Sequence, residues 1–184
     1  MKIERGTLPV LGIAAWSGTG KTTLLVRLLP LLRAKGLRVG MIKHAHHNFD
    51  IDHPGKDSYR LRKAGAEQML IASDRRWALM VETPGLEEAS LGEMTERLDQ
   101  SVLDLILVEG FRHEVFPKLE LYRAALGQPL LFPQDSSIIA IASDTLLDIS
   151  LPQLNLNDTE SIADFVAAFA TDSARTTPST GPIS

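Results

Sequence analysis

Short, uninterrupted apolar runs alternate along this chain with longer segments whose apolar positions recur every three or four residues. Leu8-Pro9-Val10-Leu11-Gly12-Ile13-Ala14-Ala15 is such a run and suits a strand buried on both faces. From Thr22 to Lys35, Leu24, Leu25, Leu28, Leu29, Leu31 and Leu32 keep one face apolar, which predicts a helix stopped by Gly36. Pro30 falls inside it and predicts a kink or a break. Leu37 to Lys43 reads as a second strand. Ser58 is placed to cap a helix running to Ala64, with Gly65 after it. Gln68 to Ala72 and Trp77 to Glu82 read as strands joined by the turn Ser73-Asp74-Arg75-Arg76. Leu91 to Leu98 is helical by period, and Leu105-Ile106-Leu107-Val108-Glu109 is the clearest buried strand, ended by Gly110. Lys118 to Tyr122 alternates, the pattern of a strand with one wet face. Ile138 to Ala142 is a further apolar strand, and Thr159 to Phe169 a last amphipathic helix.

Strands alternating with helices, several of them apolar throughout, predict an α/β sandwich around a mostly parallel sheet, with an antiparallel hairpin added near Arg75. There is no internal repeat. The length of 184 residues suits one domain, expected over 1–170. The last stretch, 171–184, is rich in Ser, Thr, Pro and Gly and reads as a disordered tail.

Composition narrows the function classes. A net charge of −4 supplies no broad positive field, which argues against a nucleic-acid backbone as the main partner. The absence of cysteine excludes disulfides and thiolate metal sites. No apolar stretch approaches the ~18 residues needed to cross a bilayer, and the N-terminal run leads into a glycine-rich loop rather than a small-residue cleavage site. The expectation is a cytoplasmic protein without a membrane or nucleic-acid partner.

The chemistry starts in that loop. Ala15-Trp16-Ser17-Gly18-Thr19-Gly20-Lys21-Thr22 fits the phosphate-binding pattern G-x-x-x-x-G-K-[ST], with the small Ala15 in place of the first glycine. The pattern works because successive backbone N–H groups converge on phosphate oxygens at a helix N-terminus. Lys21 is expected to reach the β- and γ-phosphates, Thr22 to ligate Mg²⁺, and Thr23 to touch the α-phosphate. Its position after a strand and before a helix is the context the pattern requires.

Such a site calls for an acid at the end of a neighbouring strand. Glu109 fills that place, to hold Mg²⁺ or orient an attacking water. Asp50 and Asp52, in the loop after the second strand, are candidates to approach the γ-phosphate side, Asp50 toward the metal and Asp52 toward the water. A carboxylate can accept two hydrogen bonds from guanine that adenine cannot offer, and Asp144, after the strand Ile138 to Ala142, is placed to do so. With no Asn-Lys-x-Asp string, the residues alone leave GTP and ATP both open. His44, His46, His47 and His53 match no compact zinc spacing. Arg60, Arg62, Lys63, Arg75, Arg76, Arg112 and His113 are available for a second anion or a partner.

Several strings go further. Ala14 to Thr23, Ile42-Lys43-His44, Pro54 to Ser58, Leu61 to Ala66, Arg76 to Met80 and Leu105 to Phe111 resemble the MobB family of molybdopterin-guanine dinucleotide biosynthesis adaptors, over about Leu8 to Phe169. The resemblance implies a GTP-binding adaptor with at most weak GTPase activity. It implies partnership with the guanylyltransferase MobA and a homodimer whose sheets join. The histidine-bearing loop and the basic residues would then face molybdopterin or the transferase. The competing classes are a small-molecule kinase and a metallochaperone GTPase using the four histidines.

Overall fold

The computed structural model describes residues 8–45, 49–85 and 89–175; the N-terminal segment before Leu8, His46 and His47, and the end of the tail beyond Arg175 lie outside the described residues. The apolar run at the start forms β1 (Val10–Ala14), and the leucine-rich segment forms α1 (Lys21–Ala34). β2 (Val39–Lys43), α2 (Asp57–Lys63), β3 (Gln68–Ala72), β4 (Trp77–Val81), α3 (Leu91–Glu96), β5 (Leu105–Glu109), β6 (Lys118–Tyr122), β7 (Ile138–Ser143), β8 (Gln153–Asn155) and α4 (Thr159–Arg175) follow. These elements fall into two compact units, one within Met1–His44 and Ser90–Ser184, the other within Ala45–Ala89.

The larger unit is built on a six-stranded sheet of order β2-β5-β1-β6-β7-β8, and every ladder in it is parallel. The sheet is apolar on both sides because successive side chains of β1, β5 and β6 point to opposite layers. Leu11, Ile13, Leu105, Leu107, Leu119 and Leu121 pack with Leu24, Leu25, Leu28 and Leu32 of α1 and with Ile162, Ala163 and Val166 of α4. On the other face Ile106 and Val108 join Ile42, Leu91 and Phe111. A surface pair, Lys35 to Asp164 at 2.6 Å, links the two helices of the first layer. The chain leaves β1 toward β2 on one side and crosses from β5 to β6 on the other. The crevice outside the carboxyl end of β1 is therefore the topological switch point, where α/β sheets bind ligands.

The fold class and the hairpin are as the pattern predicts, but four local expectations change and one strand is added. Pro30 does not interrupt α1, which is continuous from Lys21 to Ala34. The hydrogen bond that proline cannot donate would have gone to Val26, and both residues face solvent, where water serves that carbonyl. β6 has no wet face: Lys118 and Glu120 are 3% and 1% exposed, because β6 lies inside the sheet between β1 and β7. Ser58 does not cap α2; its hydroxyl donates to Asp52 at 3.0 Å. β8 was hidden by its length of three residues. α4 runs on to Arg175, past the expected helix end at Phe169.

The smaller unit contains α2 and the antiparallel pair β3–β4, in which Leu70 faces Leu79 and Ala72 faces Trp77. Strand alternation puts Leu70, Trp77, Leu79 and Val81 on one face of this pair, and all four are exposed. Arg62 holds the unit together from α2. Its guanidinium donates to Asp50 and to Glu82, each at 2.6 Å, and its Nε stands 3.7 Å from the Asp52 carboxylate. The hydrogen bond to Glu82 and the charge of Asp50 raise the pKa of Arg62 further.

Candidate functional site

The loop from Ala15 to Gly20 turns out of β1 and into α1 at the switch point. Gly18 and Gly20 have φ of 81° and 101°, the left-handed region in which an L side chain is strained. Gly20 is the N-cap of α1, and no side chain there accepts from the first turn. The opposite solution appears at α3, where Ser90 and Glu93 make a capping box. An anion is the natural partner for the N-terminal donors of α1.

The loop is braced from within and from outside. Buried Thr19 donates from its hydroxyl to the Trp16 carbonyl at 2.8 Å. The indole N–H of Trp16 donates to the Pro129 carbonyl at 2.8 Å, and Arg123 Nε donates to the Thr19 carbonyl at 3.4 Å. Lys21 Nζ donates to the carbonyls of Ala15 and Trp16 at 3.0 and 3.2 Å, so its ammonium lies along the inner edge of the loop. Burial lowers its pKa; Glu109 opposes that shift, while Arg112 and Lys43 add to it. A lysine crowded by two other cations is a place where phosphate would be welcome, and this fits the group that the loop pattern implies.

Glu109 ends β5 in register with Ile13 of β1 and Lys43 of β2, one strand away from the loop. Its carboxylate lies 3.5 Å from Lys43 Nζ and is mostly buried. The backbone behind it is tightly constrained. The Glu109 carbonyl accepts the His44 N–H at 2.8 Å, and a Cβ on Gly110 would come within 2.5 Å of the His44 Cβ. Phe111 takes φ 51°, unusual for a bulky residue, and its buried ring stacks on His44 with centroids 4.7 Å apart. Thr22 and Thr23, in the first turn of α1, are both exposed. Thr22 and Glu109 are an oxygen-donor set suited to Mg²⁺, which takes few protein ligands and relies on phosphate oxygens and water for the rest.

Asp144 follows β7 as expected. One oxygen accepts the Ala124 N–H at 2.9 Å and the other lies 3.4 Å from Arg123 Nη1. Arg123 thus touches both the glycine-rich loop and the acid after β7. The larger unit brings together Ala15 to Thr23, Glu109, Lys43 and Arg112. Asp50 and Asp52 belong to the smaller unit and are engaged there with Arg62, Ser58 and the backbone. Among the described residues no group of three or more His, Asp or Glu is arranged to hold a metal ion.

Sequence reading passed over Arg123, Lys118 and Glu120. Lys118 donates to Asp135 at 2.8 Å, to the Ser137 hydroxyl at 3.0 Å and to the Glu114 carbonyl at 2.7 Å. Glu120 accepts the N–H groups of Leu131 and Phe132 at 2.7 and 2.9 Å. Two charges inside a five-residue strand were the available signal, since such residues are buried only when paired.

Comparison with known proteins agrees with this fold. The family described as molybdopterin guanine dinucleotide synthesis protein B matches residues 10–144. A molybdopterin-guanine dinucleotide biosynthesis adapter protein of Escherichia coli (strain K12) is 55% identical over 160 residues, which is 86% of this chain and 91% of that protein. A protein of the same name from Haemophilus influenzae is 44% identical over 160 residues, covering 86% of this chain and 88% of its own. The crystal structure of a molybdopterin-guanine biosynthesis protein B superposes with a TM-score of 0.71 at 27% identity, covering 88% of this chain and 99% of that one.

Proposed function

This chain belongs to the family of molybdopterin guanine dinucleotide synthesis protein B, and on that footing we propose that it is a GTP-binding adaptor in molybdopterin guanine dinucleotide biosynthesis. The observation that carries the nucleotide reading is the start of α1. No side chain caps it, left-handed glycines open it, and the Lys21 ammonium sits among other cations beside it. In this reading the domain over 1–170 holds the nucleotide. Lys21 and the amides from Ser17 to Thr22 hold the phosphates, with Thr23 at the α-phosphate. Thr22 and Glu109 hold Mg²⁺, which when bound offsets phosphate charge. Glu109 orients a water. Asp50 is a further metal candidate and Asp52 a further water-orienting one; Arg62, which holds both, restrains them, in keeping with weak GTPase activity at most. Asp144 reads the guanine edge.

The partner in this reading is the guanylyltransferase MobA, with molybdopterin as a further ligand and the cytoplasm as the place of action. Among the described residues no helix is long and apolar enough to cross a membrane. The protein acts as a homodimer. What supports that is the exposed apolar face of β3–β4, because a lone two-stranded sheet is at best marginally stable in water.

Competition binding of GTP and ATP to the wild type and to Asp144→Asn tests the guanine assignment. The wild type should prefer GTP, and the variant should lose most of that preference. Equal affinity of the wild type for both nucleotides would remove GTP from the proposal.

A further inference from the structure

A cavity of about 170 Å³ opens on the side of the sheet away from α1 and α4, against the β1 backbone at Gly12. Its wall carries Arg112, His113, Lys118, Gln134 and Asp135. The cavity depends on the glycine. A Cβ at Gly12 would come within 2.8 Å of both the Lys118 side chain and the Phe116 ring. Without one, Lys118 lies across β1 with its ammonium at the cavity wall.

Counting charge shows what the cavity would accept. The Lys118 ammonium is matched by the Asp135 carboxylate at 2.8 Å, and the second oxygen of Asp135 is taken by the Ser137 hydroxyl. Among the described residues Arg112 and His113 have no carboxylate partner, and both are exposed. The Arg112 guanidinium instead lies over the Trp16 ring, 5.0 Å from its centroid. Among the described residues, then, unmatched donors line an opening whose one acid, Asp135, is already neutralised. The size is below the roughly 300–1,000 Å³ usual for a pocket that encloses a whole small ligand. It suits one oxyanion head with the rest of the molecule outside. A guanidinium fork matches phosphate oxygens in shape and charge.

We propose that this cavity is a second anion site, which takes the phosphate group of a phosphomonoester through Arg112 and His113, next to the phosphate loop. The site goes beyond the nucleotide reading and rests on it only for the identity of its neighbour. Trp16 belongs to the phosphate loop and lies under Arg112, so an anion that draws Arg112 toward the cavity changes the surroundings of that indole.

The chain has two tryptophans, so Trp77→Phe leaves Trp16 as the sole reporter. The full chain with that substitution is titrated with inorganic phosphate and separately with β-glycerophosphate, at constant ionic strength, following Trp16 fluorescence. The phosphate loop is blocked in two ways: by a saturating non-hydrolysable GTP analogue with Mg²⁺, and by Lys21→Ala. A saturable response should survive both blocks, and Arg112→Gln with His113→Gln should weaken it at least tenfold while circular dichroism stays unchanged. Three results overturn the proposal: a response abolished by both blocks, one unweakened in the double variant, or one given by inorganic phosphate but not by the ester. Failure of the wild type to bind the analogue would count against the nucleotide reading alone, since the Lys21→Ala arm still decides the cavity.

Discussion

The Lys118 ammonium donates to the Asp135 carboxylate at 2.8 Å from a position 3% exposed in the middle of a parallel sheet. Its N–H groups are all met by oxygen: Asp135, Ser137 and the carbonyls of Glu114 and Arg112 surround it. Removing one partner of such a pair leaves the other charge uncompensated. Lys118→Met should therefore cost about 2–4 kcal/mol, less than for a fully buried pair because Asp135 is partly exposed. Urea unfolding measures this, and a change within about 0.5 kcal/mol would show the pair to be neutral.

Glu120 and Asp135 should titrate against stability in opposite senses. Burial raises the Glu120 carboxyl above its ordinary 4.5, with the Leu131 and Phe132 N–H groups opposing and the Asp135 charge adding. The folded state then holds that proton more tightly than the unfolded one. The contribution of Glu120 is complete below 4.5 and is lost as pH rises through the folded value. Burial also pushes Asp135 up, but Lys118 and Ser137 more than reverse it, leaving its pKa below 3.8. Its contribution is present above 3.8 and is lost as pH falls through the folded value. The Tm of the wild type relative to Glu120→Gln should decline with rising pH from about 4 upward, and relative to Asp135→Asn with falling pH below about 4. A flat difference in either series refutes the assignment for that residue.

Lys21→Ala should weaken binding of a GTP analogue by roughly 10- to 150-fold, the range expected for a hydrogen bond to a charged group. Thermal stability should change little, since Lys21 Nζ bonds only to carbonyls of its own loop. Calorimetric titration at fixed Mg²⁺ decides; unchanged affinity would exclude this loop as the phosphate site.

Leu79→Asp places a charge on the exposed apolar face of β3–β4, beside its cross-strand neighbour Leu70. Sedimentation equilibrium should show the wild type as a dimer and the variant shifted toward monomer by at least tenfold in dissociation constant. A dimer undisturbed by this change would move the interface elsewhere.

Apolar period carried most of the fold into view. β1, β5 and β7 are continuous apolar runs, and α1 repeats its leucines on one face, so their types could be read without tertiary knowledge. β6 could not be read correctly, because alternation of Lys118, Leu119 and Glu120 looks the same whether the polar side meets water or meets Asp135 and the Leu131 amide. The glycine-rich turn between β1 and α1 was legible because its pattern is local: eight consecutive residues carry it. Asp50 and Asp52 were legible as acids but not as partners of Arg62, since those contacts join residues 10 and 12 positions apart through a turn and a helix. Arg123 was missed for the same reason; its contact with Thr19 spans 104 positions.

The position of β1 bears on how the protein is made. Its two neighbours in the sheet, β5 and β6, begin at Leu105 and Lys118, more than ninety residues later in the chain. A growing polypeptide therefore carries its glycine-rich loop on an unpaired apolar strand until those later residues have been synthesised. Pairings of such long range form slowly and leave strand edges exposed meanwhile. The glycine-rich loop that leaves β1 can therefore be seated only after β5 and β6, far later in the chain, have emerged.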